Sequence, residues 1–229
     1  MSTSGARPVP YRSEHAKIET EVTTIGVLSL QGDFVEHQAV LRRLSADVRQ
    51  VRTPDGLRDM DGLIMPGGES TTFCRLIQDF NLYDPLRAVI KSGLPVWGTC
   101  AGLIILAQRA IDLDFPTLGA LDITVRRNAY GRQVDSFETN LSIPAIADGS
   151  SRPFHSVFIR APVIEEVGDG VEVLAHLPAD AGPAAASPVA LRQGPFIATT
   201  FHPELADDDR FHRYFLDIVR QQGRGYTPK

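Results

Sequence analysis

The sequence predicts an α/β fold: a mostly parallel sheet with helices on both faces, joined late in the chain by an antiparallel patch. Short apolar runs alternate with helix-period segments from Ile25 to Ile111, which is the signature of βαβ units. The second half carries further short apolar runs with few helical segments between them. The chain has 229 residues, 43% hydrophobic and 22% charged, a folded-domain composition long enough to bury a core without disulfide or metal staples.

In order along the chain, residues 1–22 carry Ser, Pro, Arg and Glu without an apolar run and read as a flexible N-terminal extension rather than a secretory signal. Residues 23–229 read as one domain. Ile25–Leu30 is a buried strand, followed by the Gln31-Gly32-Asp33 turn with Asp33 as a candidate N-cap. Phe34, Val40, Leu41 and Leu44 then fall at helical spacing. Val48–Val51 and Gly62–Met65 read as strands, and Ser70 to Phe80 as a helix. Asp84-Pro85 has the cap-then-proline order of a helix start. Leu94–Trp97 is a fourth strand, and Ala101 to Ile111 reads as one apolar helix. Strands follow at Ile123–Arg126, Val157–Ile159, Val171–Leu174 and Phe196–Thr200, with a small-residue loop over Ala179–Pro188. A final helix starts near Asp208 and spaces Phe211, Phe215, Ile218 and Val219 along one face.

Charge and cysteine content narrow the function classes. A net charge of −5 and a pI of about 5.7 leave no electrostatic footprint for nucleic acid. No apolar stretch approaches the roughly 20 residues of a membrane helix, so neither a membrane nor nucleic acid is expected as a partner. The two cysteines, Cys74 and Cys100, have neither CxxC nor Cys/His ligand spacing, so no metal is expected and a reducing, cytoplasmic setting fits.

The sharpest chemical signal is Trp97-Gly98-Thr99-Cys100-Ala101-Gly102, a strand, then G-x-C-x-G, then a helix. Flanking glycines permit the tight turn that pushes a nucleophile out of a sheet. The helix start at Ala101 offers an unpaired N–H beside the sulfur and favours the thiolate. A thiolate needs a base, and Phe201-His202-Pro203-Glu204 supplies one: His202 and Glu204 are two apart, on one side of an extended segment. Among the other histidines only His212 has carboxylates close by, and it reads as a solvated surface residue. Pro66-Gly67-Gly68-Glu69-Ser70 ends a strand and opens a helix, which suits a second oxyanion donor. Cys74, inside a helix beside Phe73, reads as structural.

Together these residues resemble the class I glutamine amidotransferases, and within that class the glutaminase subunits of pyridoxal 5'-phosphate synthase. The narrower match rests on Leu30-Gln31-Gly32, Gly67-Gly68-Glu69-Ser70-Thr71-Thr72, Arg127-Asn128, Gly131–Glu138, Phe158-Ile159-Arg160-Ala161-Pro162 and Phe201–Leu205. The resemblance implies a flavodoxin-like sheet and a Cys100, His202, Glu204 triad. It also implies glutamine binding by Gly68, Glu69, Ser70, Arg127, Ile159 and Arg160, and an oxyanion hole at Gly68 and Ala101. Its implied activity is hydrolysis of L-glutamine to L-glutamate and ammonia, with no cofactor. The ammonia would pass to a pyridoxal 5'-phosphate synthase subunit in a large hetero-oligomer. The substrate's chemistry agrees, since Glu69 can meet an α-ammonium and Arg127 an α-carboxylate as a planar fork. Arg126 and Arg132 fit surface ion pairs better. Two rivals fit less well: the amidotransferase subunit of another pathway, such as histidine biosynthesis, is opposed by the Gly67–Thr72 and Arg132–Glu138 blocks, and a binding module that has lost its chemistry by intact Cys100, His202 and Glu204.

Overall fold

The computed structural model describes residues 22–127, 136–181 and 184–223. The extension read over residues 1–22, apart from Val22, and the motif stretch 128–135 lie outside the described residues. The chain begins with β1 (Thr24–Leu28), then α1 (Phe34–Arg43), β2 (Asp47–Val51), β3 (Gly62–Met65), α2 (Ser70–Asp79), α3 (Tyr83–Lys91) and β4 (Val96–Thr99). After α4 (Ala101–Leu106) come β5 (Ala107–Ile111), β6 (Leu121–Arg126), β7 (Ser136–Leu141), β8 (Phe154–Ile159), β9 (Val163–Val167), β10 (Glu172–His176), β11 (Pro188–Gln193), β12 (Phe196–Thr199) and α5 (Arg210–Gly223).

The main sheet has the order β10-β11-β12-β4-β3-β1-β2. Its β2-β1-β3-β4-β12 portion is parallel throughout, and β10, β11 and β12 pair antiparallel at one edge. The parallel order is the flavodoxin-like one, in which ligands bind beyond the carboxyl ends of the strands near the switch point between β1 and β3. The inner strands β1, β3 and β4 are buried on both faces because both are covered. Ile25, Val27, Ile64, Trp97 and Ile197 pack with Leu41 of α1 and Phe211, Phe215 and Val219 of α5. Leu28, Leu63, Met65 and Val96 face the other way, against Phe73 and Ile77 of α2, Leu86 of α3 and the whole of α4. Two small sheets lie apart from the main one, β5-β6-β9 and β7-β8.

The apolar segment expected as one helix from Ala101 to Ile111 divides after Leu106 and continues as β5. Continuing the helix would need N–H groups four residues on to take the carbonyls of Ile105 and Leu106. Those carbonyls instead accept from the backbone of Leu118 at 2.7 Å and Ala120 at 2.8 Å, in the returning segment. A tertiary contact therefore overrides helix periodicity. Likewise α3 starts two residues earlier than expected, with Leu82 at the cap position and Asp84 inside the first turn. Strands β7, β9 and β11 were not anticipated; β7 alternates exposed with half-buried or buried residues and carries few large apolar side chains, and β9 is apolar only at Val163, Ile164 and Val167, around two exposed glutamates.

Candidate active site

Four loops converge beyond the carboxyl ends of β1, β3, β4 and β12, and they carry the site. Cys100 follows β4 with φ 47° and ψ −100°, a strained turn for a residue with a side chain. Its glycines make that turn possible: a Cβ on Gly98 would collide with the backbone of Gly102, and one on Gly102 with the carbonyl of Met65. Cys100 is nearly buried, with Sγ 3.9 Å from the carbonyl of Ile159. Across from it, His202 follows β12, and its Nδ1 bonds Glu204 Oε1 at 2.8 Å. His202 Nε2 is buried without a hydrogen bond to the described residues, and the neighbouring Cys100 thiol helps hold the imidazole proton. The sequence thus anticipated Glu204 as the partner of Nδ1.

Asp33 departs from its expected role. It occupies the N-cap position of α1 but its side chain caps nothing there. Its carboxylate reaches His202 Nδ1 at 3.2 Å instead, so two acids face one ring nitrogen. Burial works against a charged His202, but bonds to Asp33, Cys100 and Glu204 outweigh it and hold its pKa well above 6.5. Glu204 is fully buried, and loss of solvation raises its pKa despite the imidazole.

A cavity of about 360 Å³ opens at this point, within the size range of small-molecule sites. It is lined by Gly68, Glu69, Ser70, Arg127, Ile159 and Arg160 along with Cys100 and His202, so the structure brings every expected binding residue to one place. Asp33 and Ile104 line it too and were missed. Ala101 sits buried at the first turn of α4, directly after the thiol.

Glu69 is more engaged than its sequence suggests. Its carboxylate caps α2, accepting from the backbone N–H of Thr71 at 2.9 Å and Thr72 at 2.6 Å. Burial is the largest single influence and opposes its charge, but the bonds from Thr71 and Thr72 together outweigh it and bring its pKa down to about 2. Arg127 bonds Glu69 at 3.2 Å, Thr71 Oγ1 at 2.9 Å and the carbonyl of Asp112 at 2.8 Å, which fixes the guanidinium at the cavity wall. Arg126 pairs with Glu165 on the surface, as expected, and Arg132 lies outside the described residues.

The other titratable groups divide cleanly. Cys74 is buried in α2 and burial pushes its thiol up to about 11, the behaviour of an inert structural cysteine. His212, expected at the surface, is fully buried. The acids before α5 suggested solvent, but its spacing to Phe215, Leu216 and Val219 puts it on the core face. Among the described residues no helix is long and apolar enough to cross a membrane.

Comparison with known proteins agrees with this geometry. Residues 27–221 match the model of the SNO glutamine amidotransferase family. A relative from Parafrankia sp. named "Pyridoxal 5'-phosphate synthase subunit PdxT" is 54% identical over 201 residues, covering 86% of this chain and 94% of its own length. One of the same name from Kineococcus radiotolerans is 54% identical over 204 residues, covering 88% and 97%. A solved structure described as a glutamine amidotransferase superposes with a TM-score of 0.76 at 44% identity, covering 86% of this chain and 98% of that one. A strained cysteine turn, a paired histidine and a cavity of about 360 Å³ thus sit on a sequence matched over residues 27–221, and the chain belongs to the SNO glutamine amidotransferase family.

Proposed function

We propose that this chain is the glutaminase subunit of a pyridoxal 5'-phosphate synthase, hydrolysing L-glutamine and delivering the ammonia to a synthase subunit. The observation that carries this reading is one constellation: a strained Cys100 beside His202, itself bonded to Glu204, in a cavity walled by Glu69 and Arg127. The relatives' names support the assignment of the pathway.

In the proposed reaction the Cys100 thiolate attacks the side-chain amide carbon of glutamine. The N–H groups of Gly68 and Ala101 receive the oxyanion. The imidazolium of His202 gives its proton to the departing nitrogen, which leaves as ammonia and a thioester remains. Water, deprotonated by His202, then cleaves the thioester to glutamate and regenerates the thiol. Arg127 holds the α-carboxylate, and the exposed side of Glu69 the α-ammonium.

The loop after β3 also suits control by the partner. A Cβ on Gly32 would collide with the carbonyl oxygen of Gly67, so the Gln31–Asp33 turn packs directly on the Gly67–Gly68 peptide, with no room for a side chain between them. Gln31 adds a bond from its Oε1 to the backbone N–H of Glu69 at 3.1 Å. Synthase docking on that turn would rotate the Gly67–Gly68 peptide so that the Gly68 N–H faces the oxyanion. One such donor is worth on the order of a hundred- to a thousandfold in rate. Ammonia release by the lone subunit, titrated with synthase, tests this: a rise to a plateau supports it, and full activity without partner contradicts the gating. Failure of a thiol-reactive glutamine analogue to label Cys100 in the complex would contradict the glutaminase reading itself.

A further inference from the structure

Behind Glu204 lies a buried polar chain that the proposed reaction does not use. His37 of α1 and His212 of α5 are both fully buried, and His37 Nδ1 meets His212 Nε2 at 3.0 Å. On its other side, His37 Nε2 lies 3.3 Å from Thr99 Oγ1 and 3.3 Å from Glu204 Oε2. That carboxylate oxygen has no hydrogen bond of ordinary geometry among the described residues, so the edge of His37 is its polar neighbour. Trp97 packs edge-on against both imidazoles, with ring centroids 5.5 Å and 4.9 Å away.

We propose that His37, backed by His212, is a positioning residue that presents a neutral imidazole N–H to Glu204 and so fixes the carboxylate that orients His202. The assignment follows from elimination of tautomers. A bare lone pair on Nε2 would face a carboxylate oxygen, so Nε2 carries the hydrogen. Nδ1 must then accept, and the donor it meets among the described residues is His212 Nε2–H. His212 Nδ1 is left as an unpartnered buried lone pair, which costs less than an unpartnered buried N–H. Both rings stay uncharged because burial and the neighbouring cations oppose a second proton. His37 is held down by burial and by the charged His202, with His212 its neutral neighbour, and His212 by burial and Arg43 of α1, against a weaker pull from Asp209. Glu204 itself faces His202, His37 and, at longer range, Asp33. The one N–H of His37 thus serves both Thr99 and Oε2, while Oε1 takes the Nδ1–H of His202.

The proposal rests on the glutaminase reading, so its test has one readout that does not. In the wild-type chain labelled with ¹⁵N-histidine, His37 is expected as the neutral Nε2–H tautomer from roughly pH 5.5 to 8.5, a range where a solvated histidine would titrate. A charged ring or an Nδ1–H tautomer overturns the proposal whatever the enzyme does. In the complex with synthase, H37L is expected to lower kcat for glutamine hydrolysis about ten- to a hundredfold with KM little changed, as when an orienting partner of a charged group is lost. Its acid limb should move to higher pH, because Glu204 without the N–H is harder to keep ionised. H37Q, whose amide can supply the N–H, should recover most of both. Equal losses in H37L and H37Q, or a wild-type profile in H37L, would overturn the positioning role. Absence of hydrolysis in the wild-type complex would instead overturn the glutaminase reading. Should H37L not fold, the tautomer and the H37Q profile decide.

Discussion

The carboxylate of Asp33 lies 3.2 Å from Nδ1 of His202, on the nitrogen that Glu204 already holds at 2.8 Å. Asp33 comes from the turn after β1, Glu204 from the segment after β12, so two distant parts of the chain converge on one imidazole proton. D33N removes a negative charge but keeps the volume. The His202 pKa is expected to fall by about one unit or more, because a nearby carboxylate favours the charged ring. An NMR titration of the His202 ring reads this directly, and an unchanged titration would show that Glu204 alone sets it.

The buried His37–His212 pair predicts acid lability. The pKa of His212 falls from 6.5 to about 3 because burial disfavours its charge. Below pH 6.5 the unfolded chain binds a proton there that the folded chain refuses, so stability falls as the pH drops from about 6.5 towards 3. His202, with its raised pKa, contributes stability that is already complete below 6.5 and does not oppose the trend in this window. H212Q should flatten the slope of stability against pH by about 1.4 kcal/mol per pH unit, measured by urea denaturation. An unchanged slope would mean His212 is charged in the folded state.

Glu69 and Arg127 should separate in function. E69A removes a carboxylate that caps two backbone N–H groups of α2, and is expected to cost about 1 kcal/mol of stability as well as raising KM. R127K keeps the cap and should raise KM for glutamine strongly with little change in stability, since an ammonium cannot reproduce a planar two-bond clamp. Thermal melts and steady-state kinetics on the two variants check both halves. An unchanged KM in R127K would move the carboxylate-binding role to Arg160.

Gly67 sits where a side chain cannot. An added Cβ would collide with the imidazole of His202 and approach Asp33 at 3.3 Å. G67A should therefore lower glutamine hydrolysis by at least a hundredfold, on the scale of a lost oxyanion donor, while melting close to wild type. Near-normal turnover would show that the ring has room to shift.

Much of this was legible in the sequence because it depends on local pattern. The strand–glycine–cysteine–glycine–helix run demands an elbow, and Phe196–Thr200 followed by His202 and Glu204 places a base and its partner on one side of a strand end. Other features depend on contacts that no window of sequence contains. α4 stops at Leu106 because residues 118–120 return to take its carbonyls. Asp33 looked like a cap because its local position is a cap, and only the tertiary fold brings His202 close enough to compete for it. His37 was readable in part: with Val40 and Leu41 it lies at i, i+3 and i+4 on the buried face of α1. Its partners across the core, Glu204 and His212, were not.

The central claim is that Cys100, rather than Cys74, is the nucleophile of a glutaminase. Both cysteines are buried, but only Cys100 faces a histidine, while Cys74 is held protonated by its surroundings. The most direct measurement is ammonia released from glutamine by C100A and C74A, each mixed with saturating synthase subunit and each shown to be folded. C100A is predicted to release none, and C74A to retain nearly full turnover with a packing loss of about 1 kcal/mol in stability. An active C100A, or a folded but inactive C74A, would contradict the account.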